Sequence, residues 1–295
     1  MRRFFGVAEC YGSLIGITSS FLVMGKTQAK ETVVRNAKWL AVAMGGFAAA
    51  GMALAGRPLA IDDADPVDVG QFEFEAGAAY AHDPDCQHWD FPFGLTYGAF
   101  RGVELGMGFG GQFEERTELL EDGSGERCAR EHGIGDLTVG AKWQFLESCP
   151  LGARHAIVPS VKFPTADDEK DLGSGKTDYD VTWIASRSIS EKAGIHLNLG
   201  YSWIGGDDDD VLHYGMAVDY QVLETVQWVG EVFAERETSN GAETVTQYNT
   251  GLRWTPIESL TLDIAGGSKI SGDAPDFTAT AGLTWAFGFG DRESK

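Results

Sequence analysis

The chain has 295 residues, with 44 acidic against 23 basic side chains and a formal charge of −21. That excess excludes nucleic-acid binding through phosphate contacts, which needs clustered Lys and Arg; the length allows one large domain or two ordinary ones. The 39 Gly and 9 Pro suit a chain of many strands whose backbones crowd one another.

Residues 1–55 hold six Lys or Arg and two Glu, so they are net positive while the remainder is strongly negative. Arg35 and Lys38 precede WLAVAMGGFAAAGMALA, which ends in small residues. A basic flank, an apolar run and an A-x-A site form a secretory signal. A permanent spanning helix is the alternative, but a stretch built mainly of Ala and Gly is only weakly apolar. Residues 1–60 are therefore expected to be a leader, with Met24 the true start and cleavage near Ala55 or Ala60. Residues 61–295 form the mature domain.

After residue 60 the prevailing period is two. In DLTVGAKWQF, Leu137, Val139, Ala141, Trp143 and Phe145 face one way; in GIHLNLGYSW, Ile195, Leu197, Leu199, Tyr201 and Trp203 do the same. About twelve strands follow, near 70–81, 88–97, 101–112, 134–146, 154–164, 177–188, 194–204, 211–222, 225–236, 244–255, 258–268 and 276–288. At nine or more residues each they exceed the usual strand and match one that crosses a bilayer at a tilt. Connections after even-numbered strands are short, and those after odd-numbered strands are charged and often longer. This alternation predicts an all-β fold: a transmembrane antiparallel β-barrel in the bacterial outer membrane, with both termini periplasmic. The seven Trp of the mature chain all fall on apolar faces, six of them near strand ends, as interfacial girdles require. A soluble sandwich would bury them mid-strand. The run Asp207 to Asp210 becomes the tip of a solvated extracellular loop, without the D-x-D-x-D-G spacing of a calcium site, so neither metal nor cofactor is expected.

On this register the polar faces direct Glu73, Glu75, Glu104, Lys142, Lys162, Asp178, Asp180, His196, Asp219, Glu231, Arg253 and Asp263 into the lumen. They can brace the barrel by pairing, or line a narrow acid-biased pore. An N-terminal plug is not expected, because the first strand starts within ten residues of the mature end. A lipase-type barrel enzyme would need Ser, His and an orienting group together; His155, His196 and His213 lie in no such context, and no G-x-S-x-G occurs. A surface adhesion or structural barrel is a further alternative. Cys10 falls in the leader and Cys149 in a periplasmic turn, which leaves Cys86 and Cys128 as a disulfide pair across the first two extracellular loops. Phe287 or Phe289 is the terminal aromatic for the barrel-assembly machinery. Other expected partners are outer-membrane lipid, lipopolysaccharide and a small solute.

The lead-in IDDADPVDVGQFEFEAG, the strand start Gly133 to Asp136, the strand end Lys162 to Thr165 and the entry Gly173 to Asp178 carry a family likeness. Together they resemble the outer-membrane transporters of the MetA-pathway of phenol degradation. Ala166 stands where that family usually has Gly after the Pro-Thr pair. The resemblance implies a channel that passes small, often aromatic, molecules.

Overall fold

The computed structural model describes residues 56–84, 86–119, 126–170 and 172–288. The signal segment, Met24, Ala55 and Phe289 lie outside the described residues. Thirteen strands follow in order: β1 (Gln71–Asp83), β2 (Cys86–Phe100), β3 (Val103–Leu119), β4 (Glu126–Ile134), β5 (Leu137–Leu146), β6 (Arg154–Phe163), β7 (Asp178–Ser190), β8 (Ala193–Trp203), β9 (Val211–Leu223), β10 (Val226–Glu237), β11 (Thr244–Ile257), β12 (Leu260–Ser271) and β13 (Phe277–Gly288).

Apart from β4 and β5, each strand pairs antiparallel with its chain neighbour, and β1 pairs with β13 from Gln71↔Gly288 to His82↔Phe277, so the sheet closes. Closure removes the unpaired edges that hydrocarbon cannot solvate. β4 and β5 share one place in the wall. Both pair with β3, and the ladder runs across their break at Gly135, whose N–H donates to Gly110 O at 2.8 Å. The barrel is thus twelve-stranded, as the period of two predicts.

The apolar faces point outward. All seven Trp from Trp89 to Trp285 are 37–55% exposed on the outer wall, where lipid rather than water would cover them. Aromatic pairs such as Tyr80–Trp89, with centroids 4.7 Å apart, tie adjacent strands there.

Two expectations about the loops need correction. The first loop is shorter than expected, because β1 runs to Asp83 and β2 starts at Cys86, both further than their apolar alternation. The segment 113–132, expected as a loop on its charge, is largely the β3–β4 hairpin. Opposite charges meet across its ladder: Arg130 Nε lies 3.1 Å from Glu115 Oε2, and the two are register partners. Opposite charges placed so stabilise strands. Cys86 and Cys128 therefore lie on strands that flank β3, opposite Arg116 and Thr117. Two strand spacings, about 10 Å, exceed the ~7 Å that a disulfide spans, so the expected bond does not fit this backbone; the Cys128 side chain lies outside the described residues.

The largest departure is in the lumen. Residues 56–69 do not trail away from the barrel but pass inside it. Leu59 and Ile61 pack with inward-facing Ala217, Val229 and Phe233, and Ala64 packs with Ala156, Val158 and Ile184. Burying a Leu or Ile contributes roughly 1.5–3 kcal/mol. A plug was not expected from sequence because the distance to the first strand was short. The reason it forms is that the segment runs around the wall rather than along the axis, and a circuit needs few residues.

Candidate functional site

The lumen segment touches the strands in descending order around the barrel. Arg57 Nε lies 3.2 Å from Asp263 Oδ2 on β12 and Nη2 donates to Thr280 Oγ1 on β13 at 2.8 Å. The Arg57 N–H donates to Glu75 Oε1 on β1 at 3.2 Å, and Arg253 of β11 donates to Gly56 O and Arg57 O. On β10, Glu231 accepts from the N–H groups of Ala60 and Ile61 at 2.9 and 2.8 Å. On β8, the Asn198 amide, oriented to satisfy both its ends, accepts from Asp62 N and donates to Asp62 O, each at 2.9 Å. Ser186 on β7 accepts the Ala64 N–H at 2.9 Å, and Arg154 on β6 pairs with Asp65 at 2.7 Å. Lys142 on β5 holds Asp62 at 2.8 Å and Glu104 at 3.3 Å; Glu104 on β3 accepts the Val67 N–H at 2.6 Å. Gly98 on β2 completes the circuit, with its carbonyl taking the Gly70 N–H at 2.8 Å.

An extended segment has no strand partner for its own backbone groups, and buried groups must find one. Inward carboxylates, hydroxyls and amides supply it here. Of the twelve predicted lumen residues, Glu75, Glu104, Lys142, Glu231, Arg253 and Asp263 contact the segment or its ion-pair partners. Glu73 is half-buried on the inward face beside Glu75.

The remaining predicted residues form wall-to-wall braces. His196 bridges Asp219 (2.7 Å) and Ser186 (2.8 Å). Asp180 accepts from Ser202 and Thr182 and sits 2.7 Å from His213 Nε2. Lys162 lies between Asp178 at 2.5 Å and Asp136 at 3.4 Å. A Ser–His–Asp line thus exists at Ser186, His196 and Asp219, but the serine hydroxyl is fully buried under Ala64.

Lys162 also joins three of the short sequence motifs. Asp136 Oδ1 accepts the Ala166 N–H at 2.9 Å, Thr165 Oγ1 accepts the Leu137 N–H at 2.8 Å, and Asp178 accepts the Gly205 N–H at 2.9 Å. The strand start, strand end and strand entry are one node that fixes the β4–β5 break to the loop 164–177. In the acidic loop Asp207, Asp208 and Asp209 are exposed, while Asp210 accepts from Tyr201 Oη at 2.8 Å and Ile204 N at 3.1 Å. Among the described residues no group of His, Cys, Asp and Glu is arranged to hold a metal ion.

Sequence reasoning missed Arg57, Asp62 and Ser186 as lumen residues. A signal was present: Val158, Ile184, Val229 and Phe233 are apolar on faces otherwise polar, which a water-filled lumen does not favour.

The fold recurs in solved structures. The COG4313 outer membrane channel from Pseudomonas putida F1 superposes with TM-score 0.58 at 14% identity, covering 76% of this chain and 98% of that one. The NanC porin superposes with TM-score 0.50 at 10% identity, covering 72% and 98%. No curated protein matches. A closed barrel of this form, apolar outside, is an outer-membrane protein of bacteria. The family described as "Putative MetA-pathway of phenol degradation" matches residues 55–287, and the chain belongs to that family.

Proposed function

We propose that the protein is a narrow outer-membrane channel for small solutes, with aromatic or hydrophobic molecules the expected class. The observation that supports this reading is the lumen itself. Twelve strands enclose a space that side chains can partly fill, and the circuit of residues 56–69 narrows it further. Carboxylates outnumber cations among the inward residues, although Lys142, Lys162 and Arg57 each neutralise at least one. What remains is a slight acid bias, which favours cations or neutral solutes over anions. In this reading the short turns and both termini face the periplasm. The loop with Asp207 to Asp209 faces lipopolysaccharide, and the barrel-assembly machinery reads Phe287 or Phe289.

The family's description points to phenolic substrates. Hydrolysis is not favoured, because the Ser186–His196–Asp219 line has no open approach to its serine. Conductance in planar bilayers tests the reading. The expected result is a small, cation-preferring conductance that phenol or toluene reduces while it occupies the passage. No conductance at any voltage would leave a structural barrel as the better account.

A further inference from the structure

The two candidate cleavage sites leave different mature chains: one begins at Gly56, the other at Ile61. We infer that the leader is removed between Ala55 and Gly56, and that Arg57 is the anchor of the new N-terminus. The inference builds on the leader reading and not on the nature of the solute. Hydrolysis of the Ala55–Gly56 bond by a membrane-bound export peptidase consumes one water. It leaves a carboxylate on Ala55 of the released leader and an ammonium on Gly56.

The barrel contains a socket for this arginine. Gly77 on β1 and Gly282 on β13 are register partners, and a Cβ on either would overlap the Arg57 guanidinium. Asp263 takes Nε at 3.2 Å and Nη2 at 3.3 Å, Thr280 takes Nη2 at 2.8 Å, and Glu75 takes the backbone N–H. Arg57 is 5% exposed, Asp263 7% and Glu75 8%. Two side-chain vacancies, the Asp263 carboxylate and the Thr280 hydroxyl at the guanidinium suit a planar cation with several donors, while Glu75 holds the backbone beside it.

Cleavage after Ala60 would remove Gly56 to Ala60 and empty that socket. Asp263 would lose its counter-ion, Glu75 a donor, and Arg253 both the carbonyls it now binds. The apolar pocket of Val229 and Phe233 would lose Leu59. One gain would offset this: an ammonium on Ile61 beside Glu231 Oε2. But Glu231 already holds the Ile61 N–H at 2.8 Å and the Asn249 amide at 2.7 Å. A buried carboxylate without its cation is the costlier state, so the folded barrel is fitted to a mature chain that keeps Gly56 to Ala60. The small residues Ala53 and Ala55 also fit the A-x-A rule better than Pro58 and Ala60.

The test is N-terminal sequencing and intact mass of protein purified from outer membranes after expression of the full chain. Gly-Arg-Pro-Leu-Ala-Ile is the expected start. A start at Ile61, at any other residue, or a retained leader overturns the site. For the anchor, folded barrel is digested with a nonspecific protease and cleavage within residues 58–66 is timed. Arg57→Ala should be cut at least tenfold faster than wild type, with Arg57→Lys between them; equal rates for all three overturn it.

Discussion

Arg57 and Asp263 are 206 residues apart in sequence, yet their side chains are 3% and 1% exposed and form a 3.2 Å ion pair inside the barrel. Breaking such a pair from one side leaves a buried charge alone, at about 3–5 kcal/mol. Asp263→Asn should therefore loosen the lumen segment and raise single-channel conductance. Gly77→Leu should do the same without altering any charge, because the new side chain displaces the guanidinium. Conductance at the wild-type level in both variants would mean that the segment does not narrow the passage.

The two wall faces should respond oppositely to charge. Leu197 is 42% exposed on the outer wall, between register partners Ala185 and Met216. Leu197→Arg should cost about 2–4 kcal/mol near the bilayer midplane, measured by urea unfolding from vesicles. Gln247, whose partners Phe233 and Lys269 share the inward face, should accept Gln247→Glu at under about 1 kcal/mol, the ordinary range for a solvated polar exchange. Asn198 would make a poor inward control, since its amide clasps both backbone groups of Asp62.

Lys162→Met should leave Asp136 and Asp178 facing each other without their common cation. The expected outcome is a barrel that still runs folded on an unheated gel but whose loop 164–177 is cut by protease several times faster. Unchanged cleavage would show that the backbone bonds to Asp136 and Thr165 hold the loop by themselves.

Cys149 lies in the turn between β5 and β6, outside the spanning strands. A hydrogen bond with the His155 ring, aided by N–H groups of the turn, lowers its thiol pKa to about 7. The thiolate is the reactive form, so alkylation should climb as pH rises through about 7. His155→Ala should move that midpoint up, toward the ~8.5 of a free thiol. Equal midpoints in the two proteins would remove His155 as the cause.

Much of this architecture was legible because a lipid-exposed barrel writes its wall as a period of two. Leu137, Val139, Ala141, Trp143 and Phe145 can face one way only, and one slipped residue would invert the strand. Strand number and the outward Trp followed from that pattern. So did the inward placement of Glu104, Lys142 and Asp263, since an ion cannot face hydrocarbon. The β3–β4 hairpin escaped the same logic. Beyond the bilayer, strands need no apolar face, and paired charges such as Glu115 and Arg130 look like a loop in one dimension.

The lumen was decided elsewhere. Alternation shows that a residue points inward, but not what it meets there. Glu231 meets the backbone of Ala60 and Ile61, and Gly77 and Gly282 leave room for Arg57, only because closure brings strands from both ends of the chain within reach of one short segment. The sequence by itself determined the wall, since each residue there answers to the solvent on its own side. Only the tertiary structure decided the plug, since its contacts join residues up to 223 positions apart that share no local pattern.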